Sequence, residues 1–215
     1  MEQICEMGRR MWQRGYVEGN SGNLALRVDQ DLVLCTPTQI SKGFMKPEDL
    51  CLVDLDGNQL FGARKRTSEI LMHLEIMKRQ PNTVATCHGH PPNATAFAMV
   101  GEVPASGVLS EYELMCSVGL APYRTPGSSG LGEVVADLAD KHNIIFMANH
   151  GVVTWSHRCL EEALWLLESV EACAHTMLVA HQLGKPMKTF TAQQMRELMK
   201  IKRSLGYVDP RLGLK

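Results

Sequence analysis

Neither sign of charge is in excess: 22 Lys and Arg face 23 Asp and Glu, for a formal net charge of −1. Such a balance offers no positive field to a phosphate backbone, which argues against nucleic acid as a partner. Long apolar runs are also missing. No window holds eighteen uncharged apolar residues, so neither a membrane-spanning helix nor a membrane partner is expected. The opening Met1-Glu2-Gln3-Ile4-Cys5-Glu6 is patterned neither as a secretion signal nor as a transit peptide. The seven cysteines form no C-x-x-C pair and are odd in number, which fits free thiols in a reducing cytoplasm rather than a disulfide framework. No internal repeat, low-complexity run or Ser/Gly linker interrupts the chain, so one domain is expected over residues 1–215. What is present is ordinary globular usage, 45% apolar and 21% charged, which excludes disordered and fibrous classes.

Ile4, Met7, Met11 and Trp12 recur at helical spacing and stop at Gly15, predicting a first amphipathic helix. Gly19-Asn20-Ser21-Gly22-Asn23 reads as a tight loop, and Leu24, Leu26 and Val28 alternate as a strand. Residues 32–35 and 51–54 read as further strands, the second running into an Asp56-Gly57 turn. Thr67 is the expected N-cap of a helix with an apolar stripe at Ile70, Leu71, Leu74, Ile76 and Met77. Residues 83–88, 144–148 and 152–155 read as strands, with Pro91-Pro92 closing the first. Long helices are expected over 160–183 and from Thr191 to about Leu205. Several strand pairs are joined by short turns, which predicts an α/β fold with helices on a mixed or largely antiparallel sheet.

The strongest chemical signal is His88-Gly89-His90. On a strand, residues i and i+2 share a face, so both imidazoles can converge on one ion while Cys87 points the other way. A catalytic zinc takes three protein ligands and keeps an open position. His150, between two apolar strands in Asn149-His150-Gly151, is the candidate third ligand. The other histidines (His73, His142, His157, His175, His181) are expected to be packed or solvated. Glu69, in the first turn of the helix capped by Thr67, is placed as a base for a C–H proton beside a polarised carbonyl. Small donors at 20–23, 36–38 and 67–68 are the kind that hold phosphate through backbone N–H groups and hydroxyls. The Gly127-Ser128-Ser129-Gly130-Leu131-Gly132 stretch lacks the strand–helix context of a dinucleotide fingerprint and reads as a loop.

Five motifs occur in order along nearly the whole chain: Gly-Asn-Ser-Gly-Asn at 19–23, Thr-Pro-Thr at 36–38, Thr-Ser-Glu at 67–69, His-Gly-His-Pro-Pro at 88–92 and Asn-His-Gly at 149–151. Together they resemble the class II aldolase/adducin family, and most closely its L-fuculose-phosphate aldolase branch. The resemblance implies a three-layer α/β/α domain around a mostly antiparallel sheet. It implies His88, His90 and His150 as metal ligands, Glu69 as the catalytic acid/base, and Asn20, Gly22, Asn23, Thr38, Thr67 and Ser68 as phosphate-binding residues. Three imidazoles suit Zn2+, with Mn2+, Co2+ and iron as other ions such a set accepts. Members are usually homotetramers with active sites at subunit interfaces, and often carry a tyrosine that a neighbouring subunit donates as proton carrier. Tyr112 and Tyr207 are the candidates for that tyrosine. The branch often has glycine after the second threonine of Thr-Pro-Thr, where this chain has Gln39, expected to narrow the phosphate pocket or reach the substrate.

The implied reaction is metal-dependent cleavage of a phosphorylated ketose, of the fuculose 1-phosphate or deoxypentulose 1-phosphate kind. It would give dihydroxyacetone phosphate and a small aldehyde through an enediolate. Decarboxylation of a 3-oxo sugar-acid phosphate, or 4-epimerisation of a pentulose phosphate, would use the same residues. An adducin-like module without catalysis would have lost metal ligands, and all four chemical residues are present here.

Overall fold

Eight strands alternate between two apolar faces, and that alternation fixes the architecture. The computed structural model describes residues 1–207 and Asp209. Its strands are β1 (Asn23–Asp29), β2 (Leu32–Cys35), β3 (Cys51–Asp54), β4 (Gln59–Phe61), β5 (Ala85–Gly89), β6 (Val118–Ala121), β7 (Ile144–Met147) and β8 (Gly151–Ser156). They form one sheet in the order β4-β3-β2-β1-β5-β8-β7-β6. Every pairing is antiparallel except β6 with β7.

The helices are α1 (Glu2–Gln13), α2 (Ile70–Arg79), α3 (Pro92–Met99), α4 (Ser110–Met115), α5 (Ser129–Ala139), α6 (Leu160–Gln182) and α7 (Ala192–Leu205). Leu24, Leu34, Ile144, Phe146 and Val152 pack on one side with Ile4 and Met11 of α1, Ala94 of α3 and the buried face of α6. Their neighbours Ile145, Met147 and Val153 pack on the other side with Met72 and Ile76 of α2 and Leu131 and Val135 of α5. Ala25, Val33 and Val53 extend that second face under Ile70, Leu74 and Met77. A period of two in the strands thus separates two layers of helix around a mixed sheet, the three-layer α/β/α arrangement expected.

By length and composition α6 would suffice to cross a bilayer, yet half of its most apolar window is buried. It packs on β5, β8, α1 and α3, and its buried acids are partnered, Glu162 by Ser156 and Glu171 by the first N–H groups of α3. It is a core helix.

The structure corrects several boundaries. Helix α2 begins at Ile70, so Glu69 occupies the N-cap position and does not lie within the first turn. Thr67 caps nothing in the helix; its Oγ1 accepts from the Glu69 N–H at 3.3 Å. The 127–132 stretch is not a loop. Ser128 Oγ accepts from Leu131 N, and α5 starts at Ser129. Gly132 is there for packing, since a Cβ would lie 3.2 Å from the Leu71 carbonyl and 3.0 Å from the Glu75 side chain, where α2 and α5 touch. Pro92, expected to end a strand, opens α3, where its missing N–H costs nothing. Strand β4, helix α4 and strand β6 were not foreseen.

Candidate active site

The central strands bring the chemistry together. Strand β5 runs antiparallel to both neighbours, with Asn23 opposite His88 and Val152 opposite Gly89. The end of β5, the start of β1 and the start of β8 therefore meet at one edge of the sheet. His88 and His90 lie at that end of β5, Asn23 opens β1, and His150 immediately precedes β8. His150 is presented by a tight turn in which its N–H bonds to the Met147 carbonyl at 3.0 Å. Asn149 adopts φ 56° there, a region asparagine enters more readily than most residues. Gly151 is required by crowding, because a Cβ would approach the His90 ring to 2.6 Å and the Gly89 carbonyl to 2.7 Å.

The three rings form a near-regular triangle, with centroids 5.1 Å apart for His88 and His90, 4.8 Å for His88 and His150, and 5.4 Å for His90 and His150. Outward partners set two of them. His88 Nδ1 donates to the Val152 carbonyl at 2.9 Å, and His90 Nδ1 pairs with Glu18 Oε1 at 3.0 Å. Each Nε2 is thereby left bare and turned inward, as metal-binding histidines require. Six buried side-chain atoms among the described residues lack a hydrogen-bond partner, and four are here: His88 Nε2, His90 Nε2, His150 Nδ1 and Glu69 Oε1. An unpaired buried polar atom costs about 1–3 kcal/mol, so four in one place mark a site built for another occupant.

Glu69 reaches this cluster from the start of α2. Its Oε2 lies 3.3 Å from His88 Nε2 and its Oε1 3.2 Å from His150 Nε2. Because the single proton of neutral His88 sits on Nδ1, lone pair faces carboxylate across that gap, and only a proton or a cation relieves the repulsion. Burial pushes the Glu69 carboxyl up, but His88 and His150 outweigh it and hold it well below the ordinary carboxylate range. For His88 burial pushes the pKa down, and the Glu69 charge more than restores it. The donor set suits a divalent ion, since the three imidazoles each offer a nitrogen within 4.8 Å of the others.

A second tier orients the carboxylate. Asn23 Nδ2 donates to Glu69 Oε2 at 2.8 Å, and Asn23 Oδ1 accepts from His73 Nε2. His73 is fully buried, and burial lowers its pKa to about 3. It is neutral, so its Nδ1 accepts from Thr86 Oγ1 at 2.6 Å. His73 was expected only to be packed or solvated; it is packed, and it also fixes the amide that aims Glu69.

Next to the cluster lies a cavity of about 350 Å³. Its wall includes Asn20, Gly22, Asn23, Thr38, Thr67 and Ser68, all six residues expected around a phosphate, with Glu69, His90 and His150 at one end. His88 is fully buried behind it. Gln39 is exposed and outside this wall, so it does not narrow the pocket. It takes φ 55°, the backbone geometry for which a glycine would be the ordinary choice. The two expected tyrosines are not brought into this cavity. Tyr112 is 5% exposed and its hydroxyl donates to the Pro104 carbonyl at 2.9 Å. Tyr207 lies under the Arg158 guanidinium at 5.2 Å. Sequence reasoning missed Lys42, which is buried in the cavity wall; its nearness to Thr-Pro-Thr was the available signal.

Residues 2–178 match the family described as Class II Aldolase and Adducin N-terminal domain. A 5-deoxy-D-ribulose 1-phosphate aldolase from Bacillus thuringiensis serovar kurstaki is 30% identical over 201 residues, covering 93% of each chain. A 3-oxo-tetronate 4-phosphate decarboxylase from Escherichia coli K12 is 31% identical over 203 residues, covering 92% of this chain and 93% of its own. A solved L-fuculose 1-phosphate aldolase superposes with a TM-score of 0.85 over 96% of this chain and 95% of its own at 24% identity, a likeness of fold. With five motifs assembled around one cavity and a match over most of its length, the chain belongs to the class II aldolase and adducin family.

Proposed function

We propose that this protein is a metal-dependent aldolase that cleaves a phosphorylated ketose, of the deoxypentulose or 6-deoxyhexulose 1-phosphate kind, to dihydroxyacetone phosphate and a small aldehyde. The observation that carries the reading is the cluster of bare imidazole nitrogens and the unpartnered Glu69 oxygen at one end of a donor-lined cavity. His88, His90 and His150 would hold the ion, with Zn2+ the first choice, and Glu69 is near enough to share it before substrate arrives. When bound, the ion supplies a Lewis acid for the carbonyl and neighbouring hydroxyl of the substrate. The hydroxyls of Thr38, Thr67 and Ser68 and the 20–23 loop hold the phosphate away from that end. Glu69, kept ionised and aimed by Asn23, takes and returns the proton on the carbon that becomes nucleophilic when the C–C bond breaks.

Cleavage also needs a group to take the proton of the hydroxyl that becomes the aldehyde. A tyrosine donated across a subunit interface must be accessible, and Tyr123, 52% exposed in the loop leading to Pro126, meets that condition where buried Tyr112 does not. The assembly proposed is a homotetramer of one-domain chains, which light scattering at micromolar concentration tests.

Decarboxylation of a 3-oxo sugar-acid phosphate is the second reading, favoured by the E. coli relative at equal coverage. Both reactions need the same ion, base and phosphate grip. Both release dihydroxyacetone phosphate, so supplying ketose 1-phosphates and 3-oxo-tetronate 4-phosphate in parallel, and measuring the co-product as small aldehyde or carbon dioxide, separates them. Carbon dioxide released with dihydroxyacetone phosphate from the 3-oxo acid, and no aldehyde from any ketose 1-phosphate, would replace the aldolase reading with the decarboxylase one.

A further inference from the structure

Lys42 is a full positive charge placed where water scarcely reaches. It is 1% exposed, in the short 3-10 turn Lys42–Phe44 that follows the Thr-Pro-Thr segment. Its Nζ donates to the carbonyls of Asn20 at 3.0 Å and Ile40 at 2.7 Å. Two acceptors leave the third N–H unused, and among the described residues no carboxylate lies within ion-pair distance. Burial pushes its pKa down to about 8, with the more distant Glu69 charge pulling it partly back.

An ammonium removed from water without a counter-ion is costly, and a chain retains one where something else supplies the missing charge. The surroundings say what. Lys42 shares its cavity wall with Asn20, Ser21, Asn23, Thr38, Thr67 and Ser68, neutral groups rich in N–H and O–H donors. Such groups can grip a phosphate through hydrogen bonds, yet none brings a whole charge. The turn carrying Lys42 is also clamped: Gly43 lies against the Trp12 ring, and Phe44 meets that ring edge-on at 5.0 Å. The ammonium is therefore fixed in place before any ligand arrives, which reduces the cost of ordering it on binding.

We infer that Lys42 is the charge-bearing anchor of the substrate's phosphate, its third N–H donating to a phosphate oxygen while the other two tie the Asn20 loop to the Ile40 turn. This rests on the reading above that the phosphate occupies this end of the cavity.

The test uses the metal-loaded protein, with inorganic phosphate as the calorimetric probe and Lys42→Gln and Lys42→Arg as variants. Glutamine keeps a donor for the carbonyls and removes the charge; arginine keeps the charge. Lys42→Gln should raise the phosphate Kd about 10- to 100-fold, and Lys42→Arg should recover most of it. On substrates, kcat/KM should fall to match for the phosphorylated ketose and stay unchanged for its unphosphorylated counterpart. Equal loss on both would make Lys42 a loop tie only and overturn the inference, as would wild-type phosphate affinity in Lys42→Gln. A loss tracking a substrate carboxylate in place of the phosphate would overturn it too. If wild-type protein binds no phosphate, the reading of the cavity itself fails. Should the variants fold poorly, a wild-type crystal grown in phosphate decides. A phosphate oxygen within hydrogen-bond reach of Lys42 Nζ supports the inference, and phosphate bound in the cavity out of reach overturns it.

Discussion

Replacing Glu69 by glutamine separates three roles that one carboxylate could have. Glu69 Oε2 accepts from Asn23, and an amide oxygen in that position would keep the bond. Oε1 lies 3.2 Å from His150 Nε2, so the new NH2 group would take its place there and replace that ion-pair contact with a neutral one. The change therefore removes a basic oxygen and a charge while leaving the shape and the Asn23–His73–Thr86 support intact. A positioned base contributes about 10²- to 10⁴-fold, so cleavage and the exchange of solvent deuterium into dihydroxyacetone phosphate should fall together by that factor. Metal content should stay near wild type, because three imidazoles remain. Exchange is followed by proton NMR and metal by elemental analysis of the same sample. A residue that served only as a ligand would lose metal first. One that served only the start of α2 would cost at most about 1 kcal/mol of stability and leave activity intact. Exchange at the wild-type rate in metal-replete Glu69→Gln would refute the assignment of Glu69 as the base.

His90→Ala should abolish stoichiometric metal and activity while leaving a folded chain, since its ring is only partly buried; one tightly bound ion per purified chain would rule out the three-histidine site. Tyr123→Phe should lower cleavage about 10- to 100-fold yet leave deuterium exchange, which needs only Glu69, near wild type. Tyr112→Phe should cost about 1–2 kcal/mol through the lost bond to Pro104 and spare both rates, and the opposite pattern would restore Tyr112 as the proton carrier. Lys42 has a folded pKa near 8 against an ordinary 10.5, so the unfolded chain binds more protons between those values and stability should rise with pH there. Relative to Lys42→Met, the ligand-free wild type should gain up to ~3 kcal/mol between pH 8 and 10.5 and nothing below pH 8, as read by denaturant unfolding; a flat difference would contradict the buried ammonium.

Legibility followed the range of the interaction behind each feature. His-x-His on a strand is a period-two statement about one face, and β5 carries it as expected. The long helices announce themselves through their caps; Thr191 closes a capping box with Gln194 as its type predicts. Elements whose signal is tertiary were missed. Helix α3 has no apolar stripe of its own, and Glu171 from α6 makes it, accepting from Asn93 and Ala94 at its first turn. Helix α5 looked like a glycine loop because two of its glycines fall in the first turns, where Gly132 exists for contact with α2. The sequence puts Glu69 in the first turn of α2, whereas it stands just outside, at the N-cap. For Lys42 the only local signal is its nearness to Thr-Pro-Thr; its meaning depends on burial against Asn20, 22 residues upstream.

The same contrast explains how relatives about 30% identical can carry out different reactions. The residues that define the family sit where three central strands end together, so each is tied to the sheet by a ladder position or a buried partner: His88 by Val152, Asn23 by His73, His150 by its turn. In the proposed reaction those ties would hold the ion, the base and the phosphate, the parts that carbonyl polarisation and proton transfer beside a phosphate require in common. The far wall is different. Within this chain it is reached by Pro126 and the loop carrying Tyr123, which follows β6 at the edge of the sheet and holds few bonds beyond its own neighbours. A wall at an edge can change its side chains without disturbing the ladder, and it is the part that must tell an aldehyde from a carboxylate. We propose that substrate choice rests with this edge loop: exchanging residues 122–126 with those of a decarboxylase relative should move the ratio of carbon dioxide to small aldehyde released, while metal content and phosphate affinity hold. A ratio unmoved by the exchange, in a protein that still binds both metal and phosphate, would place the discrimination in the central site instead.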